Sequence, residues 1–123
     1  MACAAGVATI QAMREEQLVE NAARMGQVLM TGLRRLQEEY PEIGDVRGLG
    51  LMIATEFTTS GHEPWTERAK ATAKAALSEG LLLLTCGSYD NTLRWIPPLV
   101  VTEAQVKEAL GMFERALHKA TTA

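Results

Sequence analysis

The hydrophobic period of this chain changes four times, and those changes limit what the chain can build. From Leu18 the apolar positions Leu18, Ala22, Met25, Leu29, Leu33 and Leu36 recur in steps of three and four, with Glu20, Arg24, Arg34, Arg35 and Glu38 on other faces. This spacing predicts a long amphipathic helix. Tyr40-Pro41 ends it, because the residue before proline is pushed out of helical geometry and proline has no N–H to continue the ladder. Residues 45–57 then read as extended chain, with a bend at Gly48-Leu49-Gly50 and a mostly apolar strand over 51–57. After a polar loop the helical period returns over 65–79, where Ala69, Ala73, Ala76 and Leu77 form one face and Gly80 caps the end. The small side chains suit close packing on a sheet.

Residues 81–85 read as a buried strand, 86–91 as a turn, and 92–96 as a second strand stopped by Pro97-Pro98. Thr102-Glu103-Ala104-Gln105 is a capping box, in which the threonine hydroxyl and the glutamine side chain each satisfy an otherwise unpaired backbone donor. It opens a last helix with the apolar stripe Val106, Leu110, Phe113 and Leu117. Ahead of everything lies an uncharged segment, residues 2–13, with small and apolar side chains on most faces. Such a helix is expected to be buried on several sides. The element order implies an α+β fold, a small, mainly antiparallel sheet packed against helices.

With 123 residues, 47% hydrophobic and 22% charged, the chain has the composition of one domain spanning 1–123. A chain of this size buries roughly two-thirds of its unfolded surface, so it needs neither disulfides nor a structural metal. Cys3 and Cys86 are far apart and form no ligand cluster. A net charge of −3 argues against nucleic acid and anionic membranes as partners. The opening segment lacks the basic start of a signal peptide and runs into Arg14, Glu15 and Glu16, and no stretch is long enough to span a bilayer. These features read as a soluble, cytoplasmic chain.

Few residues invite chemistry. Gly48-Leu49-Gly50 lacks the third glycine and the following helix of a dinucleotide loop. His62 and His118 have no second ligand at metal spacing, so a loop side chain and a helix C-terminal cation explain them, and no metal site is expected. Glu15-Glu16 and Glu38-Glu39 belong to solvated helix faces or termini. Cys86 reads as a buried or half-buried thiol, since nothing adjacent in sequence would activate it. Arg94 stands out. Alternation places Leu93 and Trp95 on one face of its strand and Arg94 with Thr92 and Ile96 on the other. The spacing leaves two readings open. Arg94 is either a solvated strand arginine or a planar fork that takes a carboxylate through two parallel charge-assisted hydrogen bonds.

Two separated segments carry a resemblance. Pro41-Glu42-Ile43-Gly44-Asp45-Val46-Arg47-Gly48-Leu49-Gly50-Leu51-Met52 and Gly80-Leu81-Leu82-Leu83-Leu84-Thr85-Cys86-Gly87-Ser88-Tyr89-Asp90-Asn91-Thr92-Leu93-Arg94-Trp95-Ile96-Pro97-Pro98-Leu99 resemble the C-terminal domain of class III pyridoxal-phosphate aminotransferases, most closely those acting on 4-aminobutyrate. The resemblance covers essentially the whole chain, and Ala2-Cys3-Ala4-Ala5 resembles the helix after the family's active-site loop. It implies the small domain of a fold-type-I enzyme, a dimer with its active site between domains and subunits. It also implies that Arg94 is the substrate-carboxylate arginine.

Pyridoxal 5'-phosphate is then the cofactor of the full-length enzyme, which passes an amino group from an ω-amino acid to 2-oxoglutarate. The large domain that supplies the cofactor lysine is missing from this sequence. Lys70, Lys74, Lys107 and Lys119 do not match that lysine's motif, so no catalytic or cofactor-binding residue is assigned here. The chain alone is therefore expected to bind no cofactor, to be inactive, and to self-associate through the face that meets the large domain. Asp90 departs from the family, standing where a glycine is common. The alternative is a stand-alone interaction or regulatory module that keeps the small-domain fold without catalysis.

Overall fold

The computed structural model describes residues 1–122. Helix α1 (Ala2–Glu15) turns at Gln17, which adopts left-handed backbone geometry with φ of 50°, into the long helix α2 (Leu18–Glu39). Strands β1 (Ile43–Leu49) and β2 (Met52–Phe57) form a hairpin. Helix α3 (Thr66–Ser78) follows, then strands β3 (Leu84–Cys86) and β4 (Thr92–Trp95), and helix α4 (Glu103–Thr122) closes the order. The sheet runs β1-β2-β4-β3, and its three ladders are antiparallel. The expected α+β architecture is the observed one.

Helix α2 buries Met25, Leu29, Leu33 and Leu36, the stripe set by its spacing, against one face of the sheet and against α4. Tyr40 closes it, with its N–H bonded to the Leu36 carbonyl at 2.8 Å. Val46, Ile53, Phe57, Leu93 and Trp95 point into the same core. There the indole of Trp95 meets the Phe113 ring edge-on, with centroids 4.9 Å apart, and donates to Thr55 Oγ1 at 3.3 Å. That edge contact and the satisfied indole N–H fix α4 on the sheet. The capping box of α4 forms as expected: Gln105 N–H donates to Thr102 Oγ1 at 3.3 Å, and Thr102 N–H to Gln105 Oε1 at 3.0 Å.

Three expectations need correcting. The alanine face of α3 is centred on Arg68, Ala69, Thr72 and Ala76, while Leu77 is exposed. This helix lies mainly along α4 rather than on the sheet, which rotates its buried face away from Leu77. The strand expected over 81–85 is ordered as strand only from Leu84, and Leu82 and Leu84 are exposed. As the edge strand, β3 has neighbours on one side only, so it buries little. Finally, α1 is a helix but has no buried residue; among the elements it meets only α2. Ala12 and Met13 are half-buried, but Val7 and Ile10 find no cover among the described residues.

Candidate functional site: the open face of the sheet

Helices α2, α3 and α4 lie on one side of the sheet, so the other face is open. In register, Asp45, Arg47 and Leu49 of β1 share that face with Glu56, Ala54 and Met52 of β2, and Arg94 stands beside Ala54 on β4 with Leu84 beyond it on β3. Leu49, Met52, Leu84 and Ile96 are exposed there, so the face is apolar around its charges. Alternation along β4 holds as expected, with Leu93 and Trp95 buried and Arg94 exposed; Thr92 differs, being buried at the turn end.

Two arginines therefore share one row, two strand spacings or about 10 Å apart, with Ala54 between them. Their electrostatics differ. Arg47 Nη1 donates to Asp45 at 2.7 Å and to Glu56 at 2.6 Å. These hydrogen bonds, Asp45's first, raise the Arg47 guanidinium above its ordinary value. Arg94 makes no ion pair among the described residues. It is the cation on this face left to receive an anion, and a guanidinium fork suits a carboxylate.

Several residues that sequence reasoning passed over hold this face in place. Buried Asn91 donates to the Phe57 carbonyl at 2.9 Å and to Glu56 Oε1 at 3.3 Å, tying the turn before β4 to β2. Asn21 of α2 donates to the carbonyls of Leu99 at 2.7 Å and Val101 at 3.1 Å, fixing the course of the chain after Pro97-Pro98. The only signal in the sequence is for Asn91, since asparagine often binds backbone in turns; Asn21, inside a helix, carries none.

The remaining candidates fall as follows. His62 and His118 are both exposed, and no group of metal-ligating side chains occurs among the described residues. Cys86 is half-buried and Cys3 exposed, each a free thiol. Glu15, Glu38 and Glu39 on helices and Glu16 at the end of α1 are exposed, as expected. Gly48 and Gly50 serve the hairpin, with φ of 153° and 56°. Gly50 also meets Gly26 of α2, where a Cβ on Gly26 would stand 2.1 Å from the Gly50 carbonyl oxygen.

Lys70 faces Asp90 at 3.6 Å, Lys107 pairs with Glu103 at 2.6 Å, Lys119 pairs with Glu79, and Lys74 is exposed. The cleft beside Arg94 has no lysine in its lining. Among the described residues, an amine, a carboxylate for a pyridine nitrogen and a phosphate cradle do not come together around Arg94, so the residues present do not fit pyridoxal phosphate by themselves.

Comparison with known proteins places this geometry. The sequence profile of the family described as aminotransferase class-III matches residues 1–117. The chain belongs to that family, whose full-length enzymes use pyridoxal phosphate. Among its relatives, 5-aminovalerate aminotransferase DavT of Pseudomonas putida is 42% identical over 115 residues, which is 93% of this chain and 27% of that protein. The 4-aminobutyrate aminotransferase GabT of Escherichia coli is 39% identical over 123 residues, 98% of this chain and 29% of that protein. A Bacillus anthracis aminotransferase of known structure superposes with a TM-score of 0.88 at 27% identity, covering 96% of this chain and 28% of that one. The chain thus spans little more than a quarter of the length of these relatives.

Proposed function

We propose that this chain is the C-terminal domain of a cytoplasmic, dimeric class III aminotransferase, and that Arg94 holds the carboxylate of the amino-acid and 2-oxo-acid substrates. The observation that carries the reading is an exposed arginine, without an ion-pair partner among the described residues, on the open, apolar face of a fold that aminotransferases share. In this reading the open face turns toward the large domain, which carries the cofactor. Arg94 then binds and orients: its two parallel N–H donors fix a carboxylate at one end of the substrate, so that the amino or carbonyl carbon at the other end is delivered at a set distance. The relatives named for 5-aminovalerate and 4-aminobutyrate support an ω-amino acid as the donor.

The test is a chimera in which this chain replaces the matching C-terminal quarter of the Escherichia coli 4-aminobutyrate aminotransferase. Amino transfer from 4-aminobutyrate to 2-oxoglutarate is expected. Arg94→Gln should raise KM for both substrates by roughly tenfold to a hundredfold, with a smaller effect on kcat. A folded, cofactor-loaded chimera whose KM ignores Arg94→Gln would overturn the assignment. A folded chimera without activity would favour a non-catalytic module.

A further inference from the structure

The pairing of β3 with β4 stops at Leu84 and Arg94. Two residues further along the chain Ile96 is followed by Pro97, which has no N–H to offer the ladder. Asn21 meanwhile draws the chain at Leu99 and Val101 toward α2. Residues 81–83 and 95–98 therefore diverge, and the gap opens a cleft of about 360 Å³ that reaches from Arg94 to Leu29 and Val106 in the core. That volume falls within the range of small-molecule sites, roughly 300 Å³ upward. Its walls are mostly leucine, isoleucine, valine, proline and tryptophan, with one amide, Gln105, whose Oε1 accepts from the Thr102 N–H; its charged group is Arg94, exposed and without an ion pair among the described residues.

We propose that this cleft is a binding site for an aliphatic monocarboxylate of medium chain length, its carboxylate on the Arg94 guanidinium and its hydrocarbon chain between Leu82 and Ile96. The chemistry follows from the lining. A mostly apolar cleft with one cation favours a ligand with one anionic end and an otherwise apolar body, and it disfavours a dicarboxylate, whose second charge would be desolvated with no second cation in the lining to meet it. The proposal rests on the reading of Arg94 as a carboxylate receptor. It adds that such ligands compete with substrate for that arginine from a subsite running away from the open face.

Trp95 lines the cleft, so its emission reports occupancy once Trp65 is replaced by Phe. In that background, octanoate should give a saturable change in the emission of the chain, and octan-1-ol the same change with affinity about tenfold weaker. Arg94→Gln should bring octanoate down to the level of the alcohol and leave the alcohol unchanged. Leu82→Asp, at an exposed position where folding is not at stake, should weaken both. No saturable change, or octanoate binding indifferent to Arg94→Gln, would overturn the proposal.

Glutarate separates this proposal from the reading beneath it, followed by the NMR resonance of the Arg94 side-chain Nε–H. A resonance that moves with glutarate while octanoate leaves Trp95 unchanged overturns the cleft and keeps the arginine. A resonance indifferent to both carboxylates overturns the cleft, and the assignment of Arg94 to the substrate then stands or falls with the KM of the Arg94→Gln chimera.

Discussion

At the scale of single residues, Asp90 holds a backbone conformation that suits glycine. Its φ is 52°, in the left-handed region, where the Cβ of an L-residue crowds the backbone. Aspartate tolerates this better than most residues, and the Lys70 ammonium 3.6 Å away adds an exposed pair of little value. Asp90→Gly should therefore stabilise the chain by about 0.5 kcal/mol, the relief of strain exceeding the added freedom of the unfolded chain. A urea midpoint that falls instead would mean that the side chain contributes more than its backbone costs. Gly26 presents the opposite case. A methyl group there would meet the Gly50 carbonyl, which cannot move without reshaping the hairpin turn, so Gly26→Ala should cost about 3 kcal/mol in the same measurement. The sequence made the exposure of Arg94 legible, because alternation along one strand suffices for that. It did not disclose that, among the described residues, Arg94 lacks an ion pair while Arg47 has two, since Glu56 reaches Arg47 only through the register of β1 on β2.

At the scale of elements, the segments with local signals are the ones that the sequence placed well. The capping box of α4 and the proline stop of α2 are fixed by neighbours within four residues, and both form as read. Thr102→Ala should remove the acceptor for the Gln105 N–H and lower stability by about 1 kcal/mol, checked by thermal unfolding. The packing of α3 was not legible in the same way, because Arg68 is buried by partners distant in sequence. It donates to Glu42 just before β1, to the Leu117 carbonyl at 3.2 Å and to Thr121 of α4. One guanidinium thus ties α3 and the end of α4 to the start of the sheet. Arg68→Leu should cost about 3 kcal/mol, because the Glu42 carboxylate is then left half-buried without its cation. Adding Glu42→Gln should recover part of that loss, and a double variant no better than the single one would show that packing of the arginine stem outweighs its charge.

At the scale of the whole molecule, two properties follow from how the elements close on one another. The first is the response to pH. Hydrogen bonds from Lys119 and then Arg115 hold the Glu79 carboxylate below its ordinary value, joining the end of α3 to α4, and Lys107 does the same for Glu103. A depressed carboxylate contributes stability above its unfolded value, and the contribution is lost as pH falls through the folded one. Burial pushes the Tyr40 hydroxyl up, so its contribution is lost instead as pH rises above the ordinary tyrosine range. Stability should therefore be flat near neutrality and fall on both sides. Glu79→Gln should flatten the acid limb of urea midpoints taken from about pH 6 to about pH 3. The second property is the uncovered apolar surface. Val7 and Ile10 on α1 are 58% and 55% exposed, and Leu49 and Met52 on the open sheet face are 85% and 68% exposed. These side chains belong to two separate surfaces: among the described elements α1 meets only α2, while the sheet face carries Arg94. Contiguous apolar area of this kind associates in water. The mass of the chain by light scattering should accordingly rise with concentration. If the sheet face is the adhesive one, Leu49→Lys with Met52→Lys should restore a constant monomer mass. If α1 is, Val7→Lys with Ile10→Lys should do so, and a mass that is monomeric at every concentration without either pair would show that neither surface seeks a second copy.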